Sequence, residues 1–302
     1  MLVLLFIISL GVSSGLATLV LMFFTDLKNL GNLNQLIEYN NSHIILGLKM
    51  AQMVSAIGAF ILPACVFAVL MEKKIFKYLH LNVWPSIGAT IAILLLMLSA
   101  TPLINWMAEV NSSMSLPGFM SDIEHWMKTT EQQAAKLTEA FLKMNSLADL
   151  MLNMFIIALL AALGEELFFR GVLQKILIEW TKGTHKGIWL TAILFSGFHM
   201  QFYGFFPRMM MGALLGYLLL WSNSLWLPIV AHFVNNSAAV LFAYLAQRNI
   251  IAQKAETIGA GEGETMYILV SAIIVAGLLF LIYKMEKKKA ELRIKNLFSL
   301  NS

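Results

Sequence analysis

This sequence predicts an all-α, polytopic membrane helix bundle of about eight transmembrane helices. Two observations carry that expectation. Apolar residues make up 59% of the 302-residue chain, charged residues only 13%, and the mean hydropathy is +0.75. The apolar residues also gather in runs of roughly twenty, the length that crosses a bilayer, and these runs are continuous; helices fit them and a barrel does not. The net charge of +4 is modest. It reads as a topology signal, so membrane lipid is an expected partner and nucleic acid is not. Cys65 is the single cysteine, which excludes a disulfide framework and a cysteine metal cluster.

Leu2 to Phe24 is the first run. It lacks a basic start and is long for a signal peptide, so it reads as a retained span; cleavage near Ser14 to Ala17 is the alternative. Thr25 to Lys49 is polar and expected outside. Spans follow at about Met50–Met71 and Pro85–Met107, with Pro102 expected to kink or end the latter. Residues 108–144 do not span. Ser121-Asp122-Ile123-Glu124 has the capping-box form. Ile123, Trp126, Met127, Ala134, Leu137, Phe141 and Met144 then recur at helical spacing. An amphipathic interfacial helix is expected there, between spans three and four, as a cover for the bundle or as a substrate gate.

The fourth span begins near Leu147, and its helix is expected to run to Trp180. The fifth is about Gly187–Tyr203. Pro207-Arg208 starts the sixth, which ends at Trp221. Ser222-Asn223-Ser224 is a turn, and Leu225–Ala246 is the seventh span. After the Gly259–Gly263 loop, Met266–Tyr283 is the eighth. The chain thus divides into an N-terminal part (1–146), a central core (147–247) and a C-terminal helix with basic tail (248–302). Lys73, Lys74, Lys77, Lys175, Lys182, Lys186, Lys284, Lys287, Lys288, Lys289, Arg293 and Lys295 fall on turns of one parity and in the tail. Turns of the other parity carry Asp122, Glu124, Glu131, Glu139, Glu262 and Glu264. The excess of lysine and arginine puts both termini in the cytoplasm, in the cytoplasmic (inner) cell membrane.

Polar groups inside these spans are costly and therefore informative. Gly164-Glu165-Glu166-Leu167-Phe168-Phe169-Arg170 continues an apolar run without a turn. Glu166 and Arg170, four apart, share a helix face and can form an ion pair. Glu165 is rotated by about 100° and has no local partner, as a general base requires. His199 lies one turn after Phe195 on another span. His232 and Asn236, four apart, share a face of a third. A carboxylate, two imidazoles and an amide can make a hydrolytic site. Glu165, helped by His199, would deprotonate water; His232 and Asn236 would donate to the oxyanion. Glu165, His199 and His232 are also zinc-ligand types, so a divalent metal is a competing expectation, though none is required. A Glu–His proton relay in a transporter is a third, weakened by the lack of interrupted helices in matching halves.

Glu165-Glu166-xxx-Arg170, Phe195-xxx-His199 and His232-xxx-Asn236, in this order on separate spans, resemble the three motifs of the CPBP or Abi family. That family comprises CAAX proteases and bacteriocin-processing enzymes and is similar to the type II CAAX prenyl endopeptidases. The resemblance covers about Leu147 to Leu245. It implies an intramembrane, glutamate-type endopeptidase with a peptide or protein substrate. In it Glu165 and His199 activate water, His232 and Asn236 form the oxyanion hole, and Glu166 and Arg170 give structural support. It also admits a non-catalytic bacteriocin-immunity or scaffold protein. Prenylated CAAX proteins are eukaryotic substrates, so CAAX cleavage itself is not expected.

Overall fold

The structure, a computed structural model, describes residues 1–26, 41–251, 258–261 and 263–299. The polar stretch 27–40, expected outside, and Glu262 lie outside the described residues. Among the described residues every regular element is helical. The longer ones, in order, are α1 (Leu2–Met22), α2 (Ser42–Glu72), α3 (Ile87–Ser99), α4 (Thr101–Ser112), α5 (Ser121–Leu142), α6 (Leu147–Thr181), α7 (Thr184–Phe198), α8 (Phe205–Ser222), α9 (Trp226–Gln247) and α10 (Thr265–Ser299). Hydrocarbon offers the backbone no hydrogen-bond partner, so uninterrupted apolar runs satisfy their own N–H and C=O groups as helices. Among the described residues, six helices are long and apolar enough to cross a membrane, or seven if the bent pair α3–α4 is one span. That pair bends by 47° just before Pro102, whose ring cannot continue the ladder unbroken.

The remaining expected span is α7. It has 15 residues and ends at Phe198, short of Tyr203. At 1.5 Å per residue it reaches roughly 22 Å, less than a full bilayer core. The chain then turns through Met200, which has a positive φ of 53°, and a 3-10 turn at Phe202–Gly204.

Two local expectations need correction. The second span starts at Ser42 and not near Met50, capped by Asn41, whose side chain accepts from His43 N–H at 2.9 Å. Lys49 is carried into the helix because Ile44, Ile45 and Leu48 pack with Phe141. Ser121 does not cap α5 either. It is the first helical residue, and Glu124 pairs with Lys128 at 2.7 Å. The capping box is instead Ser146–Asp149 at the start of α6. Ser146 Oγ accepts from Asp149 N–H at 3.1 Å, and Asp149 Oδ2 accepts from Ser146 N–H at 2.9 Å.

The lysine-rich turns expected to share a side are tied together at one end of the bundle. Lys175 Nζ donates to Tyr78 O, Leu225 N–H donates to His80 O at 3.1 Å, and Glu286 Oε1 accepts from Ser86 N–H and Oγ at 2.8 and 2.7 Å. The amphipathic helix α5 lies at the opposite end. It meets the turn after α7 through Tyr203 N–H to Glu131 Oε2 (3.2 Å) and the Trp126–Phe202 ring contact (5.2 Å).

A cluster of phenylalanines, Phe60, Phe168, Phe169, Phe195 and Phe198, fills the space between α2, α6 and α7. Gly164 lets α2 press on α6 there: a Cβ would come within 3.3 Å of Phe60 and Ile61 side-chain atoms. Helix α6 is not uniform. Its α-helical stretch Ala161–Phe168 is bracketed by π-helical segments at Met154–Leu160 and Phe169–Leu173, and α2 has a third at Ile57–Ile61. Such wide turns are rare and recur at functional sites.

Candidate active site

The stretch between the two π segments of α6 carries Glu165 and Glu166, and the second π segment carries Arg170, towards α7, α8 and α9. Arg170 Nη1 donates to Glu166 Oε1 at 2.9 Å, and both residues are fully buried. Arg170 Nη2 donates to Gly212 O on α8 at 3.0 Å, and the guanidinium lies over the Phe195 ring, 4.3 Å from its centroid. Gly212 also lets α7 press on α8, since a Cβ there would sit 3.1 Å from the Ala192 backbone. Glu166 Oε1 has a second partner that the helix periodicity could not reveal: His232 Nδ1 on α9, at 2.8 Å. Glu166 thus joins α6 to α9.

Glu165 points to the other side of the same turn. Its Oε2 is 3.9 Å from His199 Nε2 and 3.9 Å from His232 Nε2, and its side chain is 13% exposed. That oxygen has no hydrogen-bond partner among the described residues. His199 follows the last residue of α7, and its Nδ1 meets Phe195 O at 2.9 Å. Phe195 therefore serves His199 with its carbonyl and Arg170 with its ring, and the ring also lies edge-on to His232 at 6.0 Å.

These contacts fix the imidazole tautomers. The Phe195 carbonyl can only accept, so His199 carries its proton on Nδ1. Glu166 Oε1 already accepts from Arg170, so His232 Nδ1 also donates. In neutral form both rings turn an unprotonated Nε2 towards Glu165.

The structure thus brings together Glu165, His199 and His232, with Glu166 and Arg170 behind them. It engages Asn236 elsewhere: Nδ2 donates to Ile157 O at 3.1 Å, and Oδ1 accepts from Asn235 at 3.2 Å. No hydrogen bond joins it to the acid or the imidazoles among the described residues. Arg208 stands near the cluster and was read from sequence only as a helix start. Its guanidinium feels the charges of both Glu165 and Glu131 and bonds to Gln201 Oε1 at 2.6 Å. A lone arginine at the start of an apolar span is the signal that could have drawn it in. Asn111 on α4 was also missed. It holds the turn after His199, donating to Phe202 O at 3.0 Å and accepting from Phe206 N–H at 2.6 Å.

Zinc held by such donors at about 2.0–2.1 Å keeps them roughly 3.3–3.4 Å apart. Both carboxylate–imidazole separations here are 3.9 Å. Among the described residues no group of three or more His, Cys, Asp or Glu has a metal-holding arrangement. As placed, these side chains do not fit a metal ion.

Comparison with known proteins matches the same region. Residues 147–238 match the family described as type II CAAX prenyl endopeptidase Rce1-like. YpbD of Bacillus subtilis (strain 168), an uncharacterized protein, is 31% identical over 86 residues, which are 27% of this chain and 41% of YpbD. The chain therefore spans well under two thirds of that curated relative. No solved structure matches. The matched segment begins with α6 and ends within α9, and so holds every residue of the buried acid–imidazole cluster. Residues 147–238 are thus similar to the Rce1-like family, a family of proteases.

Proposed function

We propose that this protein is an intramembrane endopeptidase that hydrolyses a peptide bond with water activated by Glu165. The observation that carries this reading is the convergence of Glu165 Oε2 with two Nε2 atoms at 3.9 Å inside an apolar bundle. A water about 2.8 Å from two such atoms, seen at roughly a right angle, spans about 4 Å. The gap is the width one bridging water fills.

The tautomers refine the roles. His232 can donate from Nε2 only when it holds a second proton, because Nδ1–H is committed to Glu166. With that proton taken from water, His232 is an imidazolium donor beside the Glu165 carboxylate, and Glu166 lies 2.8 Å from the new charge. Water, oriented by His199 Nε2, then attacks the peptide carbonyl as Glu165 takes its proton. His232 Nε2–H donates to the developing oxyanion. As the C–N bond breaks, Glu165 returns the proton to the leaving amine. Asn236 contributes a second oxyanion donor once its amide turns from the Ile157 carbonyl. No metal ion is needed for these steps.

The basic end of the bundle faces the cytoplasm in this reading, with both termini on that side of the cytoplasmic membrane. A peptide or protein segment is the substrate. Comparing membrane peptidomes of cells carrying wild-type protein and Glu165→Gln tests the reading. Peptides that accumulate only with wild type are expected. Identical peptidomes, with both proteins present at equal level in the membrane, would sink it and favour a scaffold or immunity protein.

A further inference from the structure

Away from the acid–imidazole cluster, at the end of the bundle that holds α5, lies a cavity of about 290 Å³ lined by Ser42, Ile45, Lys49, Lys143, Asn145 and Asp149, among others. Lys49 is the anomaly in it. Only 4% of the residue is exposed, and its ammonium makes no hydrogen bond or ion pair among the described residues. The residue is almost wholly buried and its unpaired ammonium opens onto the cavity, where a counter-charge or polar ligand would meet it. Asp149 is near enough to act on Lys49 through its charge, but its Oδ2 is already occupied by Asn145 N–H, Ser146 N–H and Ser146 Oγ at 2.9–3.0 Å.

The surroundings indicate what would meet Lys49. The cavity sits at the N-terminus of α6, a 35-residue helix whose positive dipole end favours anions. A neighbouring cavity of about 440 Å³ shares Lys143 and Asn145 and adds Arg248, whose Nη2 donates to Asn145 O at 2.5 Å. Cations thus line two adjoining hollows, with Asp149 and Glu139 as the opposing charges. Ile45, Leu46 and Leu152 give the first hollow an apolar wall, and Leu46 is exposed on the surface of the bundle. A ligand with an anionic head and an apolar tail matches this sequence of surfaces. Lysine binds phosphate as a compact point charge.

We propose that this cavity binds a phosphate group, supplied by the headgroup of an anionic lipid, with Lys49 as its principal contact. The bound lipid would bridge α2, the end of α5 and the start of α6. This inference does not depend on the hydrolytic reading.

The test is thermal unfolding of the purified full-length protein in neutral detergent, titrated with dioctanoyl phosphatidylglycerol, with inorganic phosphate, or with dioctanoylglycerol. The phosphatidylglycerol should raise the unfolding midpoint saturably and the phosphate-free lipid should not. Lys49→Met should weaken the apparent affinity at least ten-fold, while Lys49→Arg keeps most of it. Stabilisation by inorganic phosphate alone would overturn the lipid as source. Equal titrations of wild type and Lys49→Met, or stabilisation by dioctanoylglycerol to the same extent, would overturn the site.

Discussion

Replacing Arg170 with methionine is the sharpest test of how the site is held. Arg170 and Glu166 are both fully buried, 2.9 Å apart. Methionine fills much of the same volume but removes the charge, the bond to Gly212 O and the stacking on Phe195. Glu166 is then left as an uncompensated carboxylate in an apolar interior, with only His232 Nδ1–H beside it. Removing one partner of a buried pair costs about 3–5 kcal/mol, whereas replacing both by apolar groups is often neutral or stabilising. Arg170→Met should therefore lose about 3–5 kcal/mol, and Glu166→Met/Arg170→Met should recover most of it. The double variant should still be inactive, because His232 has lost the acceptor that fixes its ring. Equilibrium unfolding in mixed micelles measures the first effect, and peptide hydrolysis the second. A single variant that loses under about 1 kcal/mol would refute the reasoning, as would an active double variant.

Other outcomes follow from single contacts. Asn111→Ala removes the side chain that ties the turn after His199 at Phe202 and Phe206; it should cost about 1–3 kcal/mol and lower the hydrolysis rate, both measurable on one preparation. Gly187→Ala should destabilise by about 1–3 kcal/mol, since its Cβ would fall 2.6 Å from Ile178 N at the α6–α7 crossing; a neutral result on unfolding would mean that α7 shifts freely. His80 sits in the turn after α2, outside the spans, where burial and then the Lys175 charge hold its imidazole below the usual 6.5. Because the folded form resists the proton, its contribution is complete above pH 6.5 and is lost as pH falls through the lowered value. The wild type should thus lose more stability on acidification than His80→Asn. Hydrolysis should survive treatment with o-phenanthroline; a loss restored by added zinc would reverse the metal-free reading.

The bundle was legible because lipid demands long apolar runs. Thus α1, α6, α8, α9 and α10 stand near where hydropathy puts them, and Pro102 announces the α3–α4 bend. The start of α2 was not legible. His43 and Lys49 look like a polar flank until Phe141, far along the chain, covers Ile44 and Ile45. Ser121 and Ser146 both precede a suitably spaced acid, and only tertiary context decides which becomes a cap. In the cluster, the Glu166–Arg170 pair follows from a four-residue spacing on one helix. The Glu166–His232 bond, the Gly212 carbonyl and the Asn236–Ile157 bond join different helices, and no local pattern encodes them. The π segments leave no mark in composition, since they change hydrogen-bond register and not residue type.

Those wide turns give Glu165 an adjustable mounting. Ala161–Phe168 is phased independently of the helix above and below it, because each π segment absorbs one residue of register. Drawing one of them tight into α geometry would swivel the intervening stretch by about 100° per residue and sweep the carboxylate off both imidazoles. The aim of the acid is thus set by slack stored in the spiral on either side, and a one-residue deletion within 154–160 should be taken up by that slack, closing the wide turn while Glu165 stays aimed at both imidazoles.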